Sequence, residues 1–598
     1  MNINILVPAK RAERVNYKPK GADFWKGMWE KFSDEELFFK RVSHVKETVN
    51  KILEKKIPFE ENYYIEVNLD ERSRSKTATP SRVWLEADID LVGAPKINKL
   101  MASGKKQDLE ILEYYASTAT FTKAKFGENI KRKEKNIYRE VFAITDIADC
   151  SLTLDRVDKD IEELKHKNYH GEIKCIVELY SNIPRSKYEH YFGLISQFVP
   201  NKLVKRDIEM LFHNLSYIAY LTISEIEEIL SNCSFIKKIL IYPSFKASRC
   251  IPSGDLNDVR LLPPETNEII GILDSGVNHD LLNFYKKSNT EKYIGKKKAN
   301  YDHGTFVTSR ALFGDDIFEK FEKTNQLQPC AYFMDFQFLF DENGEPELDY
   351  ESFKKEIESI FRKYKKVISV FNFSVNSRQK DEDISELTEF LDILCRKYDI
   401  IFINSTGNHD FFGGINKDYE DIFSNKGFDT KVKAPADGLN IITVGSIALK
   451  VSKDCICTEQ GYPSPFTRKG PVHFEWRKPE LVAHGGNVLN IPGKDINDRD
   501  AILASNNKVG VGGINMQGLA TDRGTSASAP LITRESVYLV DMIKNANIGD
   551  DIVLKGNRAN LVKAMLIHST GLKEQVEIKE KEVSQAYGFG QPDYKRIF

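Results

Sequence analysis

The chain has 598 residues, which is more than one hydrophobic core usually organises, so we expect two or three domains. Its composition, with 41% hydrophobic and 29% charged residues, is typical of a globular protein and excludes a disordered or fibrous one. The net charge of -2 at pH 7 excludes an overall positive field of the kind that attracts nucleic acids or anionic membranes.

Sequence features also bear on where the protein works. The N-terminal stretch MNINILVPAKRAERV has a short apolar run before its basic residues, the reverse of a secretory signal. No segment reaches the roughly 18 uninterrupted apolar residues of a membrane span. The eight cysteines are scattered, which suits reduced thiols, and the pair Cys455 and Cys457 alone is weak evidence for a metal. We therefore expect a cytoplasmic protein that does not contact membranes.

The first 245 residues mix helical and strand patterns. In residues 1–150, NYYIEVNL and RVWLEADIDLVG predict strands, and DEELFFKRVSHVKETVNKILEKK predicts a helix, so we interpret this region as α+β with unknown role. In residues 151–245, IKCIVELY, YIAYLTIS and FIKKILIY predict three strands. Ser224 and Glu227 predict a capping box for a helix before the third strand. The second region therefore reads as a small βαβ-like unit.

The pattern of apolar residues along the sequence changes after residue 266. Pro, Ser, Gly and Asp accumulate without an apolar period in residues 243–266, which predicts a linker. In residues 267–598, apolar segments such as EIIGILDSG, KKVISVFNFSV and YDIIFINSTGN alternate with amphipathic segments such as YESFKKEIESIFRKYK. This alternation predicts an α/β domain with a parallel sheet and helices on both faces. Functional groups of such domains lie at the C-terminal ends of the strands.

Four short motifs follow predicted strands or begin predicted helices: Asp274 in ILDSG, His303 in DHGTFV, Asn408 in NSTGNHD and Ser526 in RGTSASAP. Each motif alone is common in turns, but all four in one α/β segment are not expected by chance. RGTSASAP precedes a long predicted helix, and we expect its proline in the first turn, where amides lack helical partners.

The four residues have the chemistry of acyl transfer. A serine hydroxyl becomes a nucleophile when an imidazole takes its proton, and a carboxylate orients that imidazole and stabilises its charged form. Ser526, His303 and Asp274 fit these roles. The amide of Asn408 and the backbone N–H of Ser526 at a helix start fit the donors that an oxyanion needs. The glycine at 524 is expected to let a substrate backbone approach closely.

The segment 267–598 resembles the subtilisin-like serine proteases, the subtilases, in which the triad residues follow the chain order Asp, His, Ser. Further stretches are similar to family motifs: PADGLNIITVGSIA (435–448), SPFTRKGP (464–471), KPELVAHGGNV (478–488) and YGFGQPD (587–593). The resemblance implies a subtilisin-like fold and a serine endopeptidase that cleaves polypeptides.

The resemblance also implies a substrate cleft, along which the stretch FNFSVNS forms a strand. Asn376 stands where the family commonly has glycine, so the shape of the specificity pocket is in question. His484 stands where proline is frequent, which we interpret as a structural variant. The segments 410–431 and 489–510 are expected to be surface insertions that shape or cover the cleft. The residues expected to bind substrate are Ser374, Val375, Asn376, Gly407, Gly524 and Thr525.

We expect no cofactor, because H-E-x-x-H, C-x-x-C and P-loop motifs do not occur in the sequence. The acidic loop at 341–349 suggests calcium, which many relatives bind, but its spacing differs from an EF-hand, so we leave calcium unassigned. The basic stretch at 123–139 is interleaved with glutamates and is interpreted as a solvated surface, so we expect no nucleic-acid partner.

The overall layout resembles that of bacterial subtilases that occur beside AAA-type ATPases. This resemblance implies an ATPase partner that unfolds or gates the substrate, and a role in defence against phage. The unit at 151–245 has the rhythm of the family's inhibitory propeptides, although an adaptor would read the same. The alternative function is a catalytically silent binding or scaffold protein that keeps the subtilase fold.

Overall fold

The computed structural model describes residues 35–54, 62–70, 80–96, 99–126, 132–149, 156–207, 214–246, 251–254, 256, 259–342, 345–377, 384–409, 419–424, 429–472, 476–491, 499–545, 557–570, 578 and 580–596. The chain divides into two compact units, Met1–Tyr242 and Pro243–Phe598. Parts of the predicted insertions and of the acidic loop at 341–349 lie outside the described residues.

The first unit begins with an antiparallel sheet and its helices. The strands are β1 (Asn62–Leu69), β2 (Asp90–Lys96), β3 (Lys99–Lys105) and β4 (Ile144–Asp149). They pair in the order β2-β3-β1-β4. The helices are α1 (Glu35–Glu54), α2 (Arg82–Ala87), α3 (Lys106–Thr118), α4 (Phe121–Phe126) and α5 (Arg132–Ala143). Helix α1 buries Phe38, Val42, Val45, Val49 and Ile52, at the spacing of one helical face.

Helix α2 corrects the prediction that RVWLEADIDLVG is a single strand, because its first half is helical. A carboxylate oxygen of Glu140, from α5, accepts the backbone N–H groups of Ser81, Arg82 and Val83 at 3.1, 2.7 and 2.8 Å. Burial raises the pKa of Glu140, and these three bonds lower it without cancelling that effect. A residue almost 60 positions away therefore caps this helix, and a local pattern does not contain that information.

The second half of the first unit is a βαββαβ arrangement. Its elements are α6 (Lys159–His166), β5 (Ile173–Leu179), α7 (Tyr188–Ser196), β6 (Leu203–Lys205), β7 (Ser216–Leu221), α8 (Ile223–Asn232) and β8 (Ile236–Ile241). The sheet order is β6-β7-β5-β8, with antiparallel neighbours, so the connection from β7 through α8 to β8 passes over β5. This is the split βαβ pattern of ferredoxin-like folds. The ring of Tyr64 stacks on Tyr180 at 4.8 Å and joins this sheet to the first one.

The predicted capping box of α8 lies two residues earlier than expected. Thr222 is the N-cap, its N–H donates to Glu225 Oε2 at 2.8 Å, and its hydroxyl accepts the Glu225 N–H at 3.4 Å. Both Thr222/Glu225 and Ser224/Glu227 match the spacing of a capping box. The pair nearer the end of β7 forms because the helix begins immediately after the strand.

Seven parallel strands form the central sheet of the second unit. They are β12 (Ile269–Asp274), β13 (Glu291–Lys292), β15 (Tyr332–Gln337), β18 (Val370–Phe373), β20 (Phe402–Ser405), β21 (Ile442–Ile447) and β22 (Leu481–His484). Their order is β13-β15-β12-β18-β20-β21-β22. The direction of strand addition reverses between β12 and β18, and crevices at such switch points hold the sites of α/β folds. The predicted α/β class is confirmed.

The remaining elements of the second unit surround this sheet. The helices are α9 (Asp280–Asn283), α10 (Asp302–Phe313), α11 (Ile317–Thr324), α12 (Tyr350–Tyr364), α13 (Glu386–Tyr398), α14 (Tyr419–Phe423), α15 (Arg499–Val509), α16 (Thr525–Asn545), α17 (Arg558–Thr570) and α18 (Lys581–Tyr587). The short strands are β9 (Phe245–Lys246), β10 (Ile251–Gly254), β11 (Arg260–Leu261), β14 (Gln326–Leu327), β16 (Leu339–Glu342), β17 (Glu345–Leu348), β19 (Asn376–Ser377), β23 (Val511–Asn515) and β24 (Gly518–Asp522).

Side chains of β18 show that helices cover both faces of the sheet. Asn372 donates to the Thr533 hydroxyl of α16 at 2.8 Å, whereas Phe371 packs on Phe361 of α12, with ring centroids 5.0 Å apart. Successive residues of a strand point to opposite faces, so α16 and α12 lie on opposite sides. The predicted helices on both faces are therefore present.

Candidate active site

The best-defined contact of the predicted site joins Asp274 to His303. Asp274 is the last residue of β12, and His303 is the second residue of α10. His303 Nδ1 and Asp274 Oδ1 lie 2.8 Å apart, and each side chain is 1% exposed. Asp274 Oδ1 also accepts the N–H of Ser275 at 2.7 Å, which fixes the carboxylate at the strand end. The carboxylate accepts from Nδ1–H, so the other ring nitrogen, Nε2, is left to act as a base.

The turn after β12 holds the start of α10 against the strand end. The Ser275 hydroxyl accepts the N–H of Gly304 at 2.9 Å, and Gln337 Nε2 donates to the Ser275 carbonyl at 2.6 Å. A Cβ at Gly304 would stand 2.4 Å from the carbonyl oxygen of Gly276. Glycine at 304 is therefore required for the helix to approach the turn closely enough to join His303 with Asp274.

Two opposing effects set the pKa of His303. Burial lowers it, but the neighbouring charge and hydrogen bond of Asp274, with the charge of Asp522, outweigh burial and raise the pKa above its ordinary 6.5. Asp522 ends β24 and is itself buried. This second carboxylate was not identified from the sequence, because only folding brings β24 near α10.

Ser526 lies in the first turn of α16 and is 8% exposed. The helix begins at Thr525, earlier than expected, so Pro530 lies in its interior and not in the first turn. In a helix the carbonyl of Ser526 would accept the N–H of residue 530, but proline has no N–H, so this hydrogen bond is missing. The N–H of Ser526 has no hydrogen-bond partner among the described residues, as expected for a helix start. It is available to a ligand.

Gly524 and Asn408 stand next to Ser526. Gly524 has φ of +151°, and a Cβ there would lie 3.0 Å from Asn408 Nδ2 and 3.3 Å from Ser526 Oγ. Asn408 Oδ1 accepts the N–H and the hydroxyl of Thr525 at 2.9 and 3.1 Å. The backbone N–H can only donate, so the amide oxygen must face Thr525 and Nδ2 must turn toward the space beside Ser526.

Arg468 holds the backbone of Asn408. Its Nε donates to the Asn408 carbonyl at 3.0 Å, and its NH1 group donates to the carbonyls of Asp429 and Lys431 at 2.6 and 3.0 Å. One buried side chain thus ties the Asn408 turn to a neighbouring loop. The sequence analysis assigned no role to Arg468.

Among the hydrogen bonds of the described residues, none joins Ser526 Oγ to the His303 imidazole. The helices that carry them are joined instead by Arg310, whose Nε donates to the Ala527 carbonyl at 2.7 Å. Hydrogen bonds between a nucleophile and its base are often long before substrate binds. The structure thus brings Asp274 to His303 and Asn408 to Ser526, and His303 and Ser526 lie on two helices that contact each other.

The expected substrate strand lies at the end of β18. Ser374 and Val375 are buried, and Asn376 is partly buried. Asn376 Nδ2 donates to the Ser405 carbonyl at 2.7 Å and its Oδ1 accepts the Ser405 hydroxyl at 2.8 Å. A Cβ at Gly407 would lie 3.4 Å from the Asn376 side chain. The Asn376 side chain, at a position where the family commonly has glycine, therefore packs on the turn before Asn408. It occupies space beside Gly407 that a glycine at 376 would leave open.

No group of three or more His, Cys, Asp or Glu residues stands close enough to hold a metal, as far as the described residues go. Calcium at 341–349 stays unassigned, since part of that loop lies outside them. Cys455 and Cys457 are buried thiols, and burial raises the pKa of Cys457 to about 12. Of the helices that the structure describes, none has the length and apolar content to span a bilayer.

Comparisons with known proteins agree with the fold. Residues 265–590 match the family model described as "Subtilase family". A protein described as uncharacterized, y4bN of Sinorhizobium fredii (strain NBRC 101917 / NGR234), is 26% identical over 232 residues, which are 34% of this chain and 49% of that protein. This chain thus spans about half the length of that curated relative.

Solved structures also match the chain, at low identity. The epidermin leader peptide processing serine protease (EpiP) of Staphylococcus aureus is 16% identical and has a TM-score of 0.44, over 71% of this chain and 98% of that one. A structure described as a lanthipeptide protease is also 16% identical and has a TM-score of 0.37, over 56% of this chain and 89% of that one.

The contact between Asp274 and His303 predicts how the imidazole titrates. In the native chain the pKa of His303 lies above 6.5, and in Asp274→Asn it falls, because burial then acts without the charge and hydrogen bond of Asp274. NMR of histidine-labelled protein over a pH series measures both values. Asp280→Asn, at an exposed carboxylate, is the matched control and leaves the His303 pKa unchanged. An equal pKa in Asp274→Asn and the native chain would contradict this account of the pair.

Proposed function

Because residues 265–590 show that the chain belongs to the subtilase family of serine peptidases, we propose that it is an endopeptidase that hydrolyses peptide bonds through an acyl-enzyme on Ser526. The observation that carries the proposal is the buried hydrogen bond between Asp274 and His303, with Ser526 and Asn408 side by side at Gly524.

The first half-reaction forms the acyl-enzyme. His303 Nε2 takes the proton of Ser526 Oγ as the oxygen bonds to the substrate carbonyl carbon, and Asp274 stabilises the imidazolium. The carbonyl oxygen becomes an oxyanion, which accepts hydrogen bonds from Asn408 Nδ2 and from the Ser526 N–H. The C–N bond then breaks, and His303 returns the proton to the leaving amine.

The second half-reaction repeats these steps with water. His303 removes a proton from water as its oxygen attacks the acyl carbon, the same donors hold the oxyanion, and Ser526 leaves with the proton. The nucleophile, the base and the oxyanion donors all come from the chain itself, so the proposed reaction uses no cofactor.

We propose that the region before the catalytic unit restrains the enzyme, and strand β9 of the linker supports this idea. Lys246 pairs antiparallel with Asn376 of β19 and with Glu347 of β17, so β9 is an inner strand of a small four-stranded sheet. An extended peptide that adds to a sheet edge forms this type of backbone pairing. On this proposal, the linker occupies the edge at Asn376 that a substrate would use.

The setting of the enzyme is also a proposal. We place it inside the cell, with an AAA-type ATPase that delivers or gates polypeptide substrate, and in defence against phage. The support is the resemblance in layout to bacterial subtilases that occur beside such ATPases. Copurification of an ATPase with the tagged chain from its native cell tests the partnership.

Labelling by a fluorophosphonate probe tests the nucleophile. The native chain is expected to become covalently labelled at Ser526, and Ser526→Ala is expected to lose the label, because the probe reacts with an activated serine hydroxyl. Ser528→Ala is the matched control, since Ser528 is a buried serine of the same helix, and it keeps the label. Absence of label from both the native chain and Lys246→Pro, a variant designed to weaken the pairing of β9, would favour the silent scaffold protein.

Substitution of Asn408 tests the oxyanion donor. Asn408→Asp keeps an oxygen for Thr525 to bond, removes the donor at Nδ2 and adds a negative charge that opposes the oxyanion. We expect kcat to fall with little change in KM, by at least about 3 kcal/mol of transition-state stabilisation, the loss measured for the corresponding amide of subtilisin. Peptide hydrolysis kinetics give both constants, and Asn490→Asp at an exposed position is the control. An unchanged kcat would count against the role of Asn408.

Proline in the linker tests the restraint. Lys246→Pro removes a backbone N–H from β9 and is expected to raise the initial rate of hydrolysis of an added peptide on the order of tenfold, because the edge at Asn376 becomes free. Arg260→Pro is the matched control: it removes the N–H that bonds to Asn325 in another two-residue linker strand, and it leaves the rate unchanged. Equal rates in Lys246→Pro and the native chain would show that β9 does not block substrate.

A further inference from the structure

Arg310 is a completely buried cation that connects the two catalytic helices. It lies in α10, seven residues after His303 and therefore on the same side of that helix. Its Nε donates to the Ala527 carbonyl of α16 at 2.7 Å, and its NH1 group donates to the Gly512 carbonyl of β23 at 2.8 Å. Ala527 directly follows Ser526, so the guanidinium contacts the backbone next to the nucleophile.

The other end of the guanidinium binds β22 and a carboxylate. Arg310 NH2 donates to the His484 carbonyl at 3.0 Å and to Asp315 Oδ1 at 2.8 Å. Asp315 Oδ2 accepts from His484 Nδ1 at 2.7 Å. Burial raises the pKa of Asp315, but Arg310 and His484 outweigh that effect and hold it well below 3.8, so the carboxylate is charged at neutral pH.

Hydrogen bonds hold the backbone on both sides of Ser526. The residue after His484 is Gly485, whose carbonyl accepts the N–H of Gly524 at 2.9 Å. The backbone before Ser526 is therefore held by β22, and the backbone after it is held by Arg310. Both contacts involve the end of β22, at His484 and the adjacent Gly485. Arg310 lies two helical turns after His303 in α10, so this helix connects the contacts to His303.

We propose that Arg310, with Asp315 and His484, is a positioning residue that sets the distance from the His303 imidazole to the Ser526 hydroxyl. The inference rests on the proposed function. It goes beyond that function because Arg310 touches neither substrate nor the reacting atoms. It acts by fixing α10 against the first turn of α16, where the two groups form no hydrogen bond of their own.

Arginine suits this position and lysine does not. The planar guanidinium reaches three carbonyls and one carboxylate, which lie in fixed directions around it. A lysine ammonium keeps the charge but has no fork, so it cannot fix both α16 and β22 at once. Arg310→Lys thus separates the geometric role from the charge.

The chain offers a matched control in Arg534. This arginine joins the same two helices, since it lies in α16 and donates to the Leu312 carbonyl of α10. Its side chain is largely buried, at 13% exposed, and it lies eight residues after Ser526. Loss of Arg534 removes a comparable helix–helix bond at a place farther from the catalytic groups.

The experiment measures kcat and KM for peptide hydrolysis, with active sites counted by fluorophosphonate labelling so that misfolded protein does not contribute. A misplacement of about 1 Å costs on the order of 100-fold, so we expect Arg310→Met to lower kcat by about 100-fold with KM within about twofold. We expect Arg310→Lys to lower kcat by at least about tenfold, and Arg534→Met to keep it within about twofold while lowering Tm.

Asp315→Asn covers the case in which Arg310→Met does not fold. Asp315 is 33% exposed, so the variant tolerates the change, and it loses the charge that holds both Arg310 and His484. We expect a kcat about tenfold lower at unchanged KM. Native kcat per labelled site in Arg310→Met or in Asp315→Asn, or an equal loss in Arg534→Met, would overturn the inference. A native chain that neither hydrolyses peptide nor becomes labelled refutes the proposed function instead.

Discussion

The buried hydrogen bond between Asp274 and His303 is the constraint on which the rest of the site depends. It requires a strand end and a helix start to meet, and the parallel sheet supplies the strand end at its switch point. The helix can approach only because residue 304 is glycine. Helix α10 is then fixed, and through Arg310 it also fixes the first turn of α16. The position of Ser526, the nucleophile that we propose, therefore depends on this contact although no hydrogen bond joins Ser526 to His303.

Much of the second unit could be predicted from the sequence, because its strands are continuous apolar runs that end in short polar motifs. Asp274 ends such a strand and Asn408 follows another, whereas His303 and Ser526 lie at helix starts, so local patterns were sufficient to single out these four positions. The start of α16 was harder. Small residues such as Thr525 and Ala527 favour no structure strongly, and a proline at 530 suggests a helix start where the structure has a helix interior.

What the sequence could not show depends on partners far along the chain. Helix α2 forms where a strand was expected, because Glu140 caps it from another helix. Arg310 and Arg468 looked like ordinary charged residues, yet each is buried among backbone carbonyls that only folding brings together. The position of Arg310, seven residues from His303 in a helix of apolar and small residues, was the available signal. A cation on that face has to find buried acceptors.

If the two-residue strand β9 restrains the enzyme as we propose, it also affects which polypeptides the enzyme can process. A competitor that is tethered to the same chain acts at an effective concentration in the millimolar range, however dilute the enzyme is. A short peptide that binds the Asn376 edge weakly would seldom displace β9. A long unfolded chain, or one held nearby by a second protein, would stay near the cleft and could bind the Asn376 edge whenever β9 leaves it. Substrate choice would then follow from residence time near the cleft more than from the sequence of the cleaved bond.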